Sequence, residues 1–444
     1  MFRYIKLKNY KSLISLDVDF TSKKNTPKNI ILIYGENGVG KSNFISAFYT
    51  LFETMRTKSI KEFLNKIKED IDAEANHEMP IQDFINFLKR DFKETENIIT
   101  ECKTIDSTDN MVIEVGFRIK NKNGVYRIET DDKKIIFEKL DFVLNKKRVN
   151  FFELYEESFH VNENIFNNQD YYSEICELIQ KYFGKHSLLS ILNYEINDKS
   201  ESFMKKQISN SLFEVIKYFN GIYIHVNASY NSIKGKIGIS NKLLEIPEFE
   251  SGTITTKNIH RLDRTEELLN EFFTHLYSDI KQVYYQRQQK GKKVKYKLYF
   301  KKQIYNKLID ISSKNESTGT RKLLDLFPFF IGCLNNKISI IDEIDSGIHD
   351  ILVDQVLQSL QQCLNGQLIF TTHNTLLLES DIPKDSIYVF RSDACSNKEL
   401  IPITDIEGRI HPNLNIRKRY LNNIYGGAPT PMSIDFDDLA KILE

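Results

Sequence analysis

The stretch Asn29 to Tyr34 is nearly all apolar and runs without a break into Gly35-Glu36-Asn37-Gly38-Val39-Gly40-Lys41-Ser42. A run of that kind suits a strand covered on both faces. In Phe44 to Met55 the apolar residues then recur at helical spacing, so the order is strand, glycine loop, helix. Gly35, Gly38 and Gly40, with Asn37 between them, free the backbone N–H groups to cradle phosphate oxygens where the helix dipole favours an anion. Lys41 is then placed to reach the β- and γ-phosphates of a nucleotide, and Ser42 to ligate a divalent metal. A chain built around this unit is constrained to an α/β fold with helices on both faces of a mostly parallel sheet.

The second half carries the partners that such a loop needs. Beyond residue 310 the pattern alternates helix, apolar strand, helix, apolar strand, which predicts that the parallel sheet is completed there. Ile338 to Ile341 is an apolar strand ending in Asp342-Glu343. A carboxylate at Asp342 suits the shell of a magnesium ion, and Glu343 is placed to polarise an attacking water. The next apolar strand, Gln367 to Phe370, ends in Thr371-Thr372-His373-Asn374, and a neutral His373 there can donate to a γ-phosphate.

Taken in order, the glycine loop, Glu316-Ser317-Thr318-Gly319-Thr320, Ile341-Asp342-Glu343-Ile344-Asp345-Ser346 and Thr371-Thr372-His373-Asn374 resemble the ABC-type ATPases related to SMC and RecF proteins. Asn9-Tyr10-Lys11-Ser12 near the start resembles, more narrowly, the stand-alone AAA-family ATPases of bacterial phage-defence and abortive-infection loci. So do Arg419-Tyr420-Leu421 and Tyr425-Gly426-Gly427-Ala428-Pro429 near the end. The resemblance implies an α/β, P-loop ABC/SMC-like ATPase head that binds ATP and Mg2+ and acts as a homodimer or higher homo-oligomer. It implies that Ser317 and Gly319 form the signature completing the other subunit's site, that Asp345 lies at the dimer seam, and that Lys11 stands near the phosphates. The signature departs from the transporters' LSGGQ. Tyr10 is open between stacking on adenine and standing as an exposed aromatic beside a turn. A separate toxin or nuclease effector is the implied partner in abortive infection; the alternative is a RecF-like DNA-binding ATPase of repair or maintenance.

The long interval between Lys41 and Asp342 divides the chain into 1–55 and 311–390 as the two halves of the head, with 56–310 as an insertion and 391–444 as a tail. The insertion reads as helical segments, a mixed β lobe at about 111–150, an amphipathic helix from about 263 to 286 and a basic segment, Lys281 to Lys302. It shows no sustained heptads, which argues against a long coiled coil. The basic segment holds nine Lys or Arg and no acid, interleaved with Tyr284, Tyr285, Tyr296, Tyr299 and Phe300. Such a composition can grip phosphates and stack bases. The favoured reading is the other one, an edge strand whose lysines prevent edge-to-edge pairing.

Lys plus Arg equals Asp plus Glu at 61 each, so no global attraction to nucleic acid or an anionic membrane follows. No run approaches the roughly 20 apolar residues of a membrane span, and the charged N-terminus is unlike a signal peptide. A cytoplasmic protein is expected. The five cysteines are far apart without a CxxC pair, which predicts buried, reduced thiols. Asp435 to Asp438 reads as a solvated acidic tail.

Overall fold

The computed structural model describes residues 1–444 apart from 74–92, 227–234, 238–247, 394, 409–410, 412–413, 430–432, 435 and 444. Its centre is a sheet in the strand order Gly235–Ile237, Ile222–Val226, Ile338–Ile341, Gln367–Thr371, Ile30–Tyr34, Ile387–Ser392, Lys398–Pro402. The inner five are parallel and the outer two antiparallel to their neighbours. Ile30–Tyr34 is buried along its whole length because it lies between two cores. Ile31 and Ile33 face one core, while Ile30, Leu32 and Tyr34 face the other. This explains why its sequence shows no polar alternation.

The first core lies between the central sheet and a seven-stranded antiparallel sheet in the order Leu13–Asp19, Phe2–Tyr10, Met111–Ile119, Lys122–Thr130, Ile135–Leu144, Lys147–Tyr155, Phe159–Val161. The helix Lys41–Thr54 runs through it, burying Phe44, Ile45, Ala47, Phe48, Leu51 and Phe52. Each of these side chains other than Ala47 stabilises the fold by about 1.5–3 kcal/mol. Gln367 ties the two sheets together, accepting from Phe2 N and donating to Phe2 O and Lys28 O.

The second core holds the helices Thr318–Leu334 and Asp350–Gln361 and a third sheet. In that sheet Lys293–Ile304 is the middle strand, paired with Ile280–Lys290 on one side and with Ser251–Thr255 and then Lys307–Ser312 on the other. The helix Ile259–Leu276 packs on it.

The structure differs from the sequence reading in four places. Residues 56–310 do not project as a separate insertion: strands 111–161 extend the sheet of Phe2–Tyr10, and Ile222–Val226 sits inside the central sheet. The helix expected to run to 286 stops at Leu276, because buried Val283 and Tyr285 alternate with exposed Gln282 and Gln286 and half-buried Tyr284, which makes Ile280–Lys290 a strand. The segment after 390 is largely built into the head: Ile387–Ser392 and Lys398–Pro402 are sheet strands, and Tyr420 and Tyr425 are buried in the second core. Of the cysteines, Cys102 and Cys333 are buried, while Cys363 and Cys395 are exposed. Residues 436–443 form a short helix, and Asp435 lies outside the described residues.

Candidate nucleotide-binding site

The glycine loop emerges at the C-terminal end of Ile30–Tyr34, where an open α/β sheet places its ligands. Gly40 caps the following helix at φ +120°, and Gly38 adopts φ +80°, conformations that side chains resist. Gly35 is required for space: a Cβ there would lie 2.8 Å from the Phe390 Cβ. Glu36, Asn37 and Gly38 are exposed at the loop's tip. The buried Lys41 Nζ donates to the carbonyls of Gly35 (2.7 Å) and Glu36 (2.9 Å). Desolvation lowers its pKa, and the carboxylates of Asp342, Glu343 and Asp345 oppose that shift.

Two strands across, Ile338–Ile341 delivers Asp342 to the same end of the sheet. Its Oδ1 accepts from Thr371 Oγ1 at 2.7 Å, and its Oδ2 is buried without a hydrogen-bond partner. Burial raises its pKa, while the Thr371 and Ser42 hydroxyls lower it. The unsatisfied oxygen and the Ser42 hydroxyl supply two hard oxygens on one small site, a donor set that fits magnesium.

Thr371 is the hinge of the arrangement. Its hydroxyl also accepts from Glu343 N at 2.7 Å, and its carbonyl accepts from Ile344 N. Glu343 itself stands at φ +51°, a left-handed conformation that costs a non-glycine residue energy and is held by these bonds. Asp345 Oδ2 accepts from His373 N at 3.1 Å, closing the acidic loop onto the Thr-Thr-His-Asn loop. The His373 ring is exposed on the single chain, yet desolvation, followed by the Lys41 charge, lowers its pKa and favours the neutral imidazole.

Ser317 is the N-cap of the helix Thr318–Leu334, accepting from Thr320 N at 3.2 Å. Gly319 packs so close to the acidic loop's continuation that a Cβ would stand 3.1 Å from Gly347 O. Buried Glu316 Oε2 accepts from Ser317 N and from Lys302 Nζ, so this cap is tied to the third sheet.

Lys11 adopts φ +48° and its Nζ donates to Ser46 Oγ at 3.0 Å, one turn beyond Ser42 on the same helix. Tyr10 is neither exposed nor a stacking platform: it is buried, with its hydroxyl bonded to Ser46 and Thr50.

Two contributors are given no role in the site by sequence reading. Lys398, on the outer strand of the central sheet, donates to Ser12 Oγ at 2.8 Å, and its Nζ lies 3.6 Å from where a Gly40 Cβ would be. Asn43 donates to the same hydroxyl. Nothing near Lys398 in sequence signals this, because the contact spans almost the whole chain. The second is Tyr420, whose ring packs on Tyr34 at 5.3 Å directly below the loop, while Arg417 donates to Thr375 after the Thr-Thr-His-Asn loop.

No curated protein matches the chain. Similar solved structures include an SMC head bound to the C-winged helix domain of ScpA, at 14% identity and TM-score 0.44, covering 90% of this chain and 97% of that one. The SMC head domain from Thermotoga maritima matches at 13% and 0.38, covering 90% and 98%. A Pyrococcus furiosus Smc head with an extended coiled coil, bound to the C-terminal domain of ScpA, matches at 12% and 0.40, covering 92% and 98%. A family model described as "AAA domain, putative AbiEii toxin, Type IV TA system" matches residues 30–182 and 250–379, both halves of the site included. With well over half its length matched, and with the glycine loop, Asp342-Glu343 and Ser317 all inside the match, the chain belongs to this AAA family of P-loop ATPases.

Proposed function

We propose that the chain is an ATP-hydrolysing molecular switch of bacterial antiphage, abortive-infection defence, in which two heads close around ATP and so hold or release a separate toxin or nuclease effector. The observation that carries this reading is the convergence of Lys41, Ser42, Asp342, Glu343 and His373 at one end of the central sheet. The family's description, which names a putative toxin and a type IV TA system, supports the biological setting. No described helix is long and apolar enough to cross a membrane, and a cytoplasmic place for the protein belongs to the same reading.

In this mechanism the loop amides and Lys41 bind the β- and γ-phosphates. Ser42 and Asp342 would hold magnesium, which would neutralise charge on the transferred phosphoryl group. Glu343 orients the attacking water and takes its proton. Neutral His373 donates to the γ-phosphate, and Lys11, on Ser46, adds positive charge below the loop. Ser317 and Gly319, at a helix N-terminus, complete the partner subunit's site, with Asp345 at the seam.

The test is to purify the wild type and Glu343→Gln with the neighbouring gene product and measure hydrolysis and mass with and without ATP and magnesium. The variant should bind ATP, hydrolyse at least about 100-fold slower, and form a dimer or larger complex that retains or sheds the neighbour. Absence of nucleotide binding by the wild type would sink the reading.

A further inference from the structure

The basic segment folds into two strands: Ile280–Lys290 is an edge of its sheet, but Lys293–Ile304, which carries most of the lysines, is the middle strand, so the aggregation-guarding role of an edge strand does not explain them. Alternate residues Val294, Tyr296, Leu298 and Phe300 are buried against the second core. The other set, Lys293, Lys295, Lys297, Tyr299 and Lys301, therefore shares the opposite face. Across the hairpin the register sets Lys290, Gln288, Gln286 and Tyr284 beside Lys293, Lys295, Lys297 and Tyr299. On the other side Thr255, Thr253 and Ser251 stand beside the same three lysines.

The charges on this strand pair are divided in a telling way. Arg287 is neutralised by Asp263 and Glu266 on the helix side, and Lys302 by Asp279 and Glu316. Lys293, Lys295 and Lys297 are exposed, and no carboxylate among the described residues forms an ion pair with them. The carboxylate that the register places on the outer face, Asp310, sits opposite Lys301 at the far end. There Tyr284 and Tyr299 stack at 6.0 Å with Lys301 over the Tyr284 ring.

The face is thus a row of exposed ammonium groups, without an ion-pair partner among the described residues, at intervals of about 7 Å along the strand, flanked by glutamine amides and hydroxyls that donate hydrogen bonds. On a chain of zero net charge it is a local concentration that bulk composition conceals. Regularly spaced cations with neutral donors suit a polyanion whose charges repeat along a line.

We propose that this outer face of the third sheet binds the phosphate backbone of a nucleic acid, without reading its sequence. The strand that carries the lysines continues into Lys302, whose partner Glu316 holds Ser317 N, so the ligand would lie one strand-length from the nucleotide machinery.

The experiment is fluorescence anisotropy of the full chain with short labelled single-stranded and duplex oligonucleotides between about 50 and about 200 mM salt. Its variants are Lys293→Gln/Lys295→Gln/Lys297→Gln and the corresponding Lys→Arg triple. The wild type and the Arg triple should bind with steep salt dependence. The Gln triple should bind at least about tenfold more weakly at low salt, with the slope of log K against log salt reduced by about three. Nucleotide binding by the Gln triple at the wild-type level reports an intact fold. Salt-independent binding, no binding by the wild type, or equal binding by the Gln triple overturns the proposal. So does capture by anionic lipid vesicles in place of either oligonucleotide.

Discussion

At the scale of the residue, Thr371 shows how one hydroxyl positions two acids. It donates to Asp342 and accepts from Glu343 N, which fixes the buried Asp342 carboxylate and the strained Glu343 backbone together. Thr371→Val keeps the shape and removes both bonds. Leaving a buried carboxylate oxygen without its donor costs about 1–3 kcal/mol. We expect a matching loss in denaturant unfolding and a fall in hydrolysis of at least about tenfold, with ATP affinity within a few-fold of wild type. Unchanged turnover would mean that Thr371 does not position the acids. These residues were legible in the sequence because each chemical group sits at the end of an apolar strand, a local signal. Lys398 was not, since only folding brings it to Gly40. Its ammonium, partly desolvated and hydrogen-bonded to Ser12, stands beside Gly40 at the N-terminus of the loop's helix. Lys398→Met should weaken ATP binding several-fold by calorimetry, about 1 kcal/mol; an unaltered affinity would leave the residue a structural strut.

Between elements, one buried carboxylate joins the antiparallel sheet to a helix. Glu138, fully buried, accepts from Leu188 N and Leu189 N at the start of the helix Leu188–Asp198 and from Tyr126 OH. Burial pushes its pKa up from 4.5 to about 7 against those three donors. Because the folded-state value lies above the unfolded one, the stabilisation is full below pH about 4.5 and is lost as pH rises through about 7. From this group the unfolding free energy should fall by about 3 kcal/mol between mildly acidic and mildly alkaline pH. Glu53, pushed up to about 7 chiefly by burial, adds the same sign. His186 and the Met1 amino group, whose pKa values burial lowers to about 4 and about 5, act in the opposite direction. Relative to the wild type, Glu138→Gln should therefore gain about 3 kcal/mol of stability between mildly acidic and mildly alkaline pH in a series of urea titrations. An unchanged slope would show that Glu138 does not titrate on unfolding. The sequence did not display this contact, because a glutamate in an alternating strand reads as solvent-facing until the helix covering it is known. The same limit misplaced the helix end at 286: charge and amphipathicity do not separate a helix from a two-faced strand until the pairing partner is in view.

For the whole molecule, the head's two halves close on one sheet, yet the signature Ser317-Thr318-Gly319 follows from a resemblance rather than from a contact with the glycine loop. Two inactive variants decide whether one site is built from two chains. Lys41→Ala spoils the phosphate loop and keeps the signature. Gly319→Asp keeps the loop and forces a side chain against Gly347 O. If two chains assemble with twofold symmetry and exchange signatures, a mixed dimer carries one intact site, made of the Gly319→Asp chain's loop and the Lys41→Ala chain's signature. Its other site is doubly broken. With random exchange half of the dimers are mixed and one of their two sites works, so the mixture should recover about a quarter of wild-type hydrolysis from two dead preparations. If loop and signature instead served the same chain, every chain in the mixture would still carry a lesion in its own site, and activity would stay at the level of the separate variants. Recovery therefore measures the sharing of the site itself, and its absence, with both variants folded and mixed subunits confirmed by mass, would place the whole of catalysis within a single chain.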